Sequence, residues 1–328
     1  MNLKSVQRIL GILLMLFSVT LVPPVAVAWI AGDGALPAFA TALALILGGG
    51  LAIWLPVAGE QRELRVRDGF VVVVMFWTVL TLIGAIPFVL AHHPHLGLVD
   101  AIFESASGLT TTGATVIVGL DDLPPSILYY RQQLQWLGGM GIVVLAVAVL
   151  PMLGIGGMQL YRAETPGPMK DNKLTPRLAE TAKALWYIYL GLTVACGLAY
   201  WAAGMTPFDA LGHAFSTVAI GGFSTHDASL GHFDSALVDG VAILFMFLAG
   251  INFSLHFLAL RAHHPGAYWR DPELRFYVFL LLLVSALTVL GLYLSGTYPS
   301  WQEALRRGLF HAVSIGTTTG FTTDPWHV

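Results

Sequence analysis

One twelve-residue pattern occurs three times in the sequence, as ESASGLTTTGAT (104–115), HAFSTVAIGGFS (213–224) and HAVSIGTTTGFT (311–322). The copies align without a gap, and Gly113, Gly222 and Gly320 occupy the equivalent position in each. Self-similarity at comparable intervals is typical of a fold that is built from several copies of one structural unit. The rest of the chain is therefore interpreted around this repeat.

The composition around the repeats is that of a membrane protein. Hydrophobic residues make up 56% of the chain and charged residues only 11%, whereas an average soluble domain has about 25% charged residues. The net charge is only −3 and no Lys/Arg cluster forms a phosphate-binding face, so nucleic acid is excluded as a partner. The single cysteine, Cys196, lies in an apolar stretch, which excludes an intrachain disulfide and a thiolate metal cluster.

Seven apolar segments are long enough to cross a bilayer of about 30 Å, namely 6–30, 37–58, 69–91, 133–160, 184–204, 236–260 and 275–295. The N-terminal run also resembles a signal peptide, but its length favours a retained first helix. The repeat copies lie in shorter segments rich in Gly and Thr, which are predicted to be re-entrant, at 98–117, 206–224 and 301–322. The predicted fold is an all-α integral membrane protein built of helix, re-entrant pore loop and helix.

The distribution of cations predicts how the spans are oriented. If the spans alternate, most Lys and Arg residues fall on one side, in the N-terminus and in the stretches 59–68, 161–182 and 261–274. We expect that side, with the N-terminus, to be cytoplasmic. On the opposite, mostly acidic side the only cations are Arg131, Arg306 and Arg307. The acidic excess either concentrates cations at the mouth or simply follows from the exclusion of Lys and Arg from outer loops.

The repeated loop suits the binding of a dehydrated alkali cation. A half-helix that stops at Gly can return as an extended strand, because Gly adopts backbone angles that are closed to other residues. Carbonyl oxygens of several such strands around one axis can replace the hydration shell of K+, with the negative ends of the half-helices facing the same point. We therefore expect the three equivalent glycines to lie at one depth around a common axis. The predicted K+ filter, the only predicted metal-ion site, comprises Thr111, Thr112, Gly113, Ile220, Gly221, Gly222, Thr318, Thr319 and Gly320.

Polar residues elsewhere receive other interpretations. Three of them share one repeat position near the start of the half-helix and are predicted to support the filter through side-chain hydrogen bonds: Glu104, His213 and His311. A short tract of His92, His93 and His95 is a weak metal candidate, because no partner ligands stand at a suitable spacing. The spans contain no Ser/His pair, paired aspartate motif or HExxH, so neither an enzyme nor a cofactor is predicted.

The whole chain resembles the Trk/Ktr/HKT potassium transporters, most closely the TrkH-type membrane subunits of bacterial Trk systems. Besides the three loops, the resemblance rests on the motifs QWLGGMGI (135–142), LPMLGIGGMQLYRAE (150–164), PRLAETAK (176–183) and NFSLHF (252–257). It implies a pseudo-fourfold pore made by four repeats, a homodimer in contact with membrane lipid, and a cytosolic nucleotide-binding regulatory subunit. It also implies a location in the bacterial inner membrane.

The resemblance divides the chain into an N-terminal helix pair and three pore repeats, at 1–60, 61–165, 166–265 and 266–328. Because the chain stops soon after Gly320, the ring is expected to be incomplete and the chain to be C-terminally truncated. The implied function is potassium uptake through the filter. A proton- or sodium-coupled potassium symporter and a non-conducting fragment remain the alternatives, since no acidic residue lies firmly within a span.

Overall fold

The structure is a computed structural model that describes residues 3–60, 66–141, 178–262 and 266–324. All regular secondary structure in these ranges is helical, which confirms the predicted all-α class. We number the α-helices α1 (Leu3–Val19), α2 (Val22–Ala31), α3 (Leu36–Trp54), α4 (Val66–Gly84), α5 (Ile86–Leu90), α6 (Leu98–Leu109), α7 (Pro125–Gly139), α8 (Leu178–Ala202), α9 (Pro207–Val218), α10 (Ala236–Ala249), α11 (Phe253–Ala262), α12 (Gly266–Arg270), α13 (Pro272–Leu294) and α14 (Trp301–Gly316).

Five helical stretches in the described part of the chain are long and apolar enough to cross a membrane. They correspond to five of the seven predicted spans: Leu3–Ala31, Leu36–Val57, Val71–Leu90, Lys183–Ala202 and Pro272–Leu294. The span predicted at 133–160 begins within α7, and most of it lies outside the described residues. The predicted repeat boundary near residue 165 also lies outside them. The remaining division into repeats stays a prediction.

The segment predicted to span the membrane at 236–260 is bent, because α10 and α11 meet at an angle of 86°, which fits either a broken span or a re-entrant loop. At the break, Gly250 has no room for a side chain, since a Cβ there would lie 2.3 Å from Tyr277 Oη. Asn252 then starts α11, and its Oδ1 accepts a hydrogen bond from the Ser254 N–H at 3.0 Å. The close approach of Tyr277 to Gly250 and the hydrogen bond of Asn252 both lie at the point where the chain turns.

Helix α7 organises the centre of the molecule, because it packs against both α6 and α9. Two glycines permit the close approach. A Cβ on Gly138 would lie 1.9 Å from the carbonyl oxygen of Leu109, and one on Gly139 would lie 3.0 Å from the Cα of Ala219. Leu109 and Ala219 stand at the C-terminal ends of α6 and α9. The ends of these two short helices therefore converge on the end of α7.

The other helices form the walls around this centre. Helices α1 and α3 form a tightly packed N-terminal pair, and α2 and α4 connect that pair to α7 and α6. Helix α8 covers α9, while α14 lies between α13 and α10. The three short helices α6, α9 and α14 are thus each held by longer helices, which fixes the positions of the loops that follow them.

Candidate ion-binding site

Three loops follow the short helices, and we name them glycine loop 1 (110–119), glycine loop 2 (219–228) and glycine loop 3 (317–324). Each begins with the same hydrogen-bonded turn. In glycine loop 1 the N–H of Thr111 bonds the Gly108 carbonyl at 3.0 Å, and the N–H of Thr112 bonds the Ser107 carbonyl at 2.9 Å. The equivalent distances are 3.0 and 2.8 Å in glycine loop 2, and 2.9 and 2.8 Å in glycine loop 3. This is a Schellman motif formed three times, so the sequence repeat is also a structural repeat.

The turn places a β-branched residue in the left-handed region in every loop. The φ angles are 54° at Thr111, 47° at Ile220 and 64° at Thr318. A positive φ at such residues is a genuine outlier, and strained residues of this kind cost on the order of 1–3 kcal/mol each. Because the same strain recurs at three equivalent positions, it is a property of the site rather than an accident of one loop. Strain of this kind clusters at functional sites.

The three equivalent glycines also share one conformation, with φ angles of 79°, 79° and 84°. They bring neighbouring loops together in order. A Cβ on Gly113 would lie 2.1 Å from the carbonyl oxygen of Gly221, and one on Gly222 would lie 1.9 Å from the carbonyl oxygen of Thr319. A Cβ on Gly320 would have no atom within 4 Å among the described residues. Each of the first two loops therefore presses its glycine against a carbonyl group of the next loop.

The threonines of glycine loops 1 and 3 are tied within their own loops. The hydroxyl of Thr110 donates to the Ala106 carbonyl at 2.7 Å and lies 2.8 Å from the Thr112 hydroxyl. In glycine loop 3, Thr317 and Thr319 form the same 2.8 Å contact. These hydroxyl contacts fix the two residues on either side of Thr111 in glycine loop 1 and on either side of Thr318 in glycine loop 3. The contacts between neighbouring loops are made instead by backbone carbonyl groups.

Glycine loop 2 lacks the two threonines and is held instead by Gln135 of α7. The Gln135 amide donates to the Gly221 carbonyl at 2.6 Å and accepts from the Phe223 N–H at 3.0 Å. A Cβ on Gly221 would lie 2.5 Å from the Gln135 side chain. This explains why the second copy of the repeat has Gly where the others have Thr. The side chain that fixes the loop comes from a distant part of the sequence.

Glu104 connects α6 to the segment after Gly113. Its carboxylate accepts from the Thr115 hydroxyl at 2.9 and 3.0 Å and from Arg131 Nε at 2.6 Å. The side chains of Glu104 and Arg131 are both fully buried. Arg131 also donates to the Ser224 carbonyl at 3.2 Å, and its guanidinium lies 4.3 Å from the centroid of the Phe223 ring. The ion pair therefore links glycine loop 1 to glycine loop 2.

His213 occupies the equivalent position in α9 and makes the equivalent contact. Its Nε2 lies 2.9 Å from the hydroxyl of Ser224, the residue that corresponds to Thr115, and its Nδ1 lies 2.9 Å from the Asp209 carbonyl. In α14, His311 Nε2 accepts from the Thr323 N–H at 3.4 Å. All three predicted support residues thus contact the chain just after the repeat glycine. Their role in ion selection stays a prediction.

The arginines on the predicted outer side are paired with acidic residues. Arg306 Nε donates to Asp239 at 2.6 Å, and Arg307 contacts Asp234 at 3.2 Å. With Arg131, these are the three cations that depart from the predicted charge asymmetry, and each has an acidic partner. Their presence there is explained by ion pairing between structural elements, which does not conflict with the orientation predicted from the other cations.

His226 in glycine loop 2 lies between two carboxylates. Its Nδ1 contacts Asp121 Oδ1, and its Nε2 is 3.5 Å from Asp209 Oδ1. Burial by itself lowers the pKa of His226, but the two neighbouring carboxylates, Asp209 and Asp121, outweigh that effect and raise the pKa above its ordinary value. The contact between His226 and Asp121 joins glycine loop 2 to the segment after glycine loop 1.

Two parts of this site, Gln135 and Arg131, are not predicted by the sequence. Gln135 stands out there only as the first residue of the QWLGGMGI motif, and Arg131 only as an exception to the charge asymmetry. A buried Arg within a helix must find an acidic partner, and this is the signal that leads from Arg131 to Glu104. Nothing in the sequence connects Gln135 with Gly221, because that contact depends on how α7 packs.

These features define a class of protein. The chain is a multi-pass helical membrane protein in which strained backbone loops, repeated along the sequence, converge at the ends of short helices. Transport of a small ion is the function that such loops serve in membrane proteins.

Comparison with known proteins specifies the class further. The TrkH family, described as a cation transport protein, matches residues 36–327. The chain is 56% identical over 325 residues to the "Trk system potassium uptake protein TrkH" of Vibrio parahaemolyticus, covering 98% of this chain and 67% of that protein. It is 53% identical over 324 residues to the protein of the same name from Escherichia coli, covering 99% and 67%. The chain therefore belongs to the TrkH family.

A solved structure shows the same fold. The chain matches the crystal structure of the potassium transporter TrkH from Vibrio parahaemolyticus with a TM-score of 0.87 and 52% identity, over 99% of this chain and 66% of that one. The chain spans about two thirds of the length of the relatives it matches. The predicted resemblance to TrkH-type subunits is confirmed. Both relatives are named as potassium uptake proteins of a Trk system. These names agree with the prediction of a potassium transporter rather than an enzyme.

Proposed function

We propose that the three glycine loops form part of a potassium-selective filter, through which the TrkH-family protein takes up K+ across a bacterial inner membrane. The observation that carries the proposal is the contact of Gly113 and Gly222 with a backbone carbonyl of the next loop. Such contacts bring carbonyl groups of different loops to one place without intervening side chains. Rings of backbone carbonyls are how potassium filters replace the hydration shell of the ion.

Two further features support the proposal. Helices α6, α9 and α14 all end at the loops, so their partial negative charges add to the attraction for a cation. The loops are also fixed from outside, by Gln135 and by the hydrogen bonds of Glu104, His213 and His311. A rigid backbone can hold carbonyls at a spacing that suits one ion better than another. We assign the K+ ligands to Thr111, Thr112, Gly113, Ile220, Gly221, Gly222, Thr318, Thr319 and Gly320.

The proposal extends to the setting of the protein. The distribution of Lys and Arg supports a cytoplasmic N-terminus, and the family resemblance supports a homodimer in membrane lipid with a cytosolic nucleotide-binding subunit. The names of the relatives refer to a Trk system, which is consistent with partner subunits. The proposed repeats lie at 61–165, 166–265 and 266–328, after the N-terminal pair at 1–60.

The experiment uses a chimera, in which this chain is continued by the last third of the Vibrio parahaemolyticus relative. We expect the chimera, reconstituted in proteoliposomes at fixed membrane potential, to conduct K+ in preference to Na+. Flux without ion preference would overturn the filter assignment. Flux that requires an added proton or sodium gradient would replace the channel mechanism with the symporter alternative.

The chain by itself provides the second arm of the experiment. With three glycine loops, we expect it to carry little or no selective K+ flux under the same conditions. Growth of a potassium-uptake-deficient bacterium at low K+ measures the same contrast in cells. Robust rescue by the chain without the added segment would show that the three described loops suffice.

A further inference from the structure

Three metal-binding side chains meet beside the glycine loops without belonging to the proposed filter. Asp121 lies in the short 3-10 turn Leu120–Asp122, His226 lies in glycine loop 2, and His232 lies in the 3-10 turn Ser229–Phe233. Their candidate ligand atoms all lie within 4.8 Å of one another. The two imidazole rings are parallel at 3°, with centroids 3.5 Å apart. The cluster therefore brings a residue after glycine loop 1 together with two from the second repeat.

The donor set is that of a zinc-class ion. Two imidazoles and one carboxylate bind Zn2+ at about 2.0–2.2 Å, with a fourth position left for water. Ligand atoms at those distances around a tetrahedral ion are about 3.3 Å apart. To reach that spacing, the hydrogen-bonded pair of Asp121 and His226 must open, and the His232 ring must rotate out of its stack on His226, because a metal lies in the plane of each imidazole that binds it. Asp121 and His232 lie at the surface and can rotate, while the side chain of His226 is only 17% exposed.

A second observation concerns the other ring nitrogen of His226, Nε2. Its Nδ1 faces Asp121, whereas its Nε2 is buried, makes no hydrogen bond among the described residues, and lies 3.5 Å from Asp209 Oδ1. The Asp209 carboxylate is held by the hydroxyls of Thr206 and Thr225 at 2.7 and 2.8 Å. A histidine that binds a metal through one nitrogen usually presents its other N–H to a carboxylate, which fixes the ring. His226 and Asp209 already have this arrangement.

The backbone around the cluster is tied together independently of any ion. The Gly119 N–H donates to Asp227 Oδ1 at 3.0 Å, and the Gly231 N–H donates to the Thr322 carbonyl at 3.1 Å. Phe233 packs edge-on against the rings of His226 and His232 at 5.4 and 5.2 Å. These contacts hold the backbone segments that carry the three ligands close together before an ion arrives, which lowers the entropic cost of binding.

We propose that Asp121, His226 and His232 form a binding site for a divalent transition-metal ion of the zinc class, which bridges the segments after glycine loops 1 and 2. The ion takes the place between Asp121 and His226 Nδ1, with His232 as third ligand and Asp209 as the carboxylate behind His226. Binding joins the two segments through a metal instead of a hydrogen bond. The proposal concerns metal binding and is independent of whether the loops select K+.

The test measures Zn2+ binding to the full chain purified in detergent, by competition with a chromogenic chelator. We expect one Zn2+ per chain, and a loss of affinity of roughly tenfold or more in Asp121→Asn and in His232→Ala. The Asp121 side chain is 47% exposed, so its substitution is compatible with folding. His92→Ala, in the separate histidine tract, is the matched control and is expected to leave the affinity unchanged.

A gain-of-function variant completes the test. His232→Cys supplies a thiolate ligand, so we expect it to retain Zn2+ and to bind Cd2+ more tightly than the parent chain does. Unchanged Zn2+ affinity in both Asp121→Asn and His232→Ala would overturn the site. The site would also be overturned if His92→Ala alone abolished binding, or if His232→Cys failed to alter the preference for Cd2+.

Discussion

Substitution of Gly222 by Ala tests whether the close packing of the glycine loops sets ion selectivity. A Cβ at Gly222 would lie 1.9 Å from the carbonyl oxygen of Thr319, whereas contacts of Cβ atoms in proteins do not fall below about 3.0 Å. The oxygen and the new methyl group must therefore separate by about 1 Å. The φ of 79° adds left-handed strain of about 1–2 kcal/mol for an L-residue.

Gly34 offers a matched control for the strain. Its φ is 82°, and a Cβ there would have no atom within 4 Å. Gly34→Ala thus carries the left-handed strain without the collision, so we expect it to lose about 1–2 kcal/mol of stability and Gly222→Ala, which also displaces a backbone carbonyl, to lose more. A carbonyl displaced from about 3 to about 4 Å from an ion loses close to half of its attraction, because the energy of a dipole near a charge falls roughly as the square of the distance. We therefore expect only Gly222→Ala to lower the K+/Na+ flux ratio, on the order of tenfold or about 1.4 kcal/mol.

The assay combines thermal unfolding in detergent with bi-ionic flux measurements on the chimera in proteoliposomes. The unfolding temperature of Gly34→Ala measures the left-handed strain alone, and the additional decrease in Gly222→Ala measures the collision with the Thr319 carbonyl. A lowered K+/Na+ ratio in Gly222→Ala alone would then isolate the displacement of the Thr319 carbonyl. If Gly222→Ala kept the parent ratio, or if Gly34→Ala lost it equally, the packing of the loops would not be the source of selectivity.

Two other side chains give sharp predictions. Gln135→Leu removes both hydrogen bonds to glycine loop 2, so the K+/Na+ ratio should fall together with about 1–3 kcal/mol of stability. Gln133→Leu instead loses a bond to the Thr20 carbonyl, between α1 and α2, and should keep the ratio. Equal ratios in the two variants would exclude a role for Gln135. Arg131→Met leaves the Glu104 carboxylate buried and uncompensated, at about 3–5 kcal/mol in thermal unfolding. The double variant Arg131→Met/Glu104→Gln should recover part of that loss, whereas no loss in the single variant would show that the pair is not structural.

The local parts of the fold and site were predictable from the sequence. The repeat pattern predicted three half-helices followed by loops, but it predicted that they stop at the glycines, whereas α6, α9 and α14 end about four residues earlier, at Leu109, Val218 and Gly316. The left-handed cap falls on Thr111, Ile220 and Thr318, which carry no residue signature for that conformation. The apolar runs located five spans, since length and hydropathy are local quantities. The bend between α10 and α11 was not predicted, because hydropathy identifies an apolar segment without showing whether it bends.

The sequence by itself determined that this chain lies in a membrane and carries three equivalent glycine loops, because composition and repetition need no partner to be recognised. Only the tertiary structure decided that Gly113 and Gly222 each face a carbonyl of the next loop, and that Gln135 and Arg131 hold those loops in place. Contacts between residues about 90 positions apart arise from the packing of α7 between α6 and α9. Hydrogen-bond geometry across separate helices follows from that packing and is not encoded in any single segment.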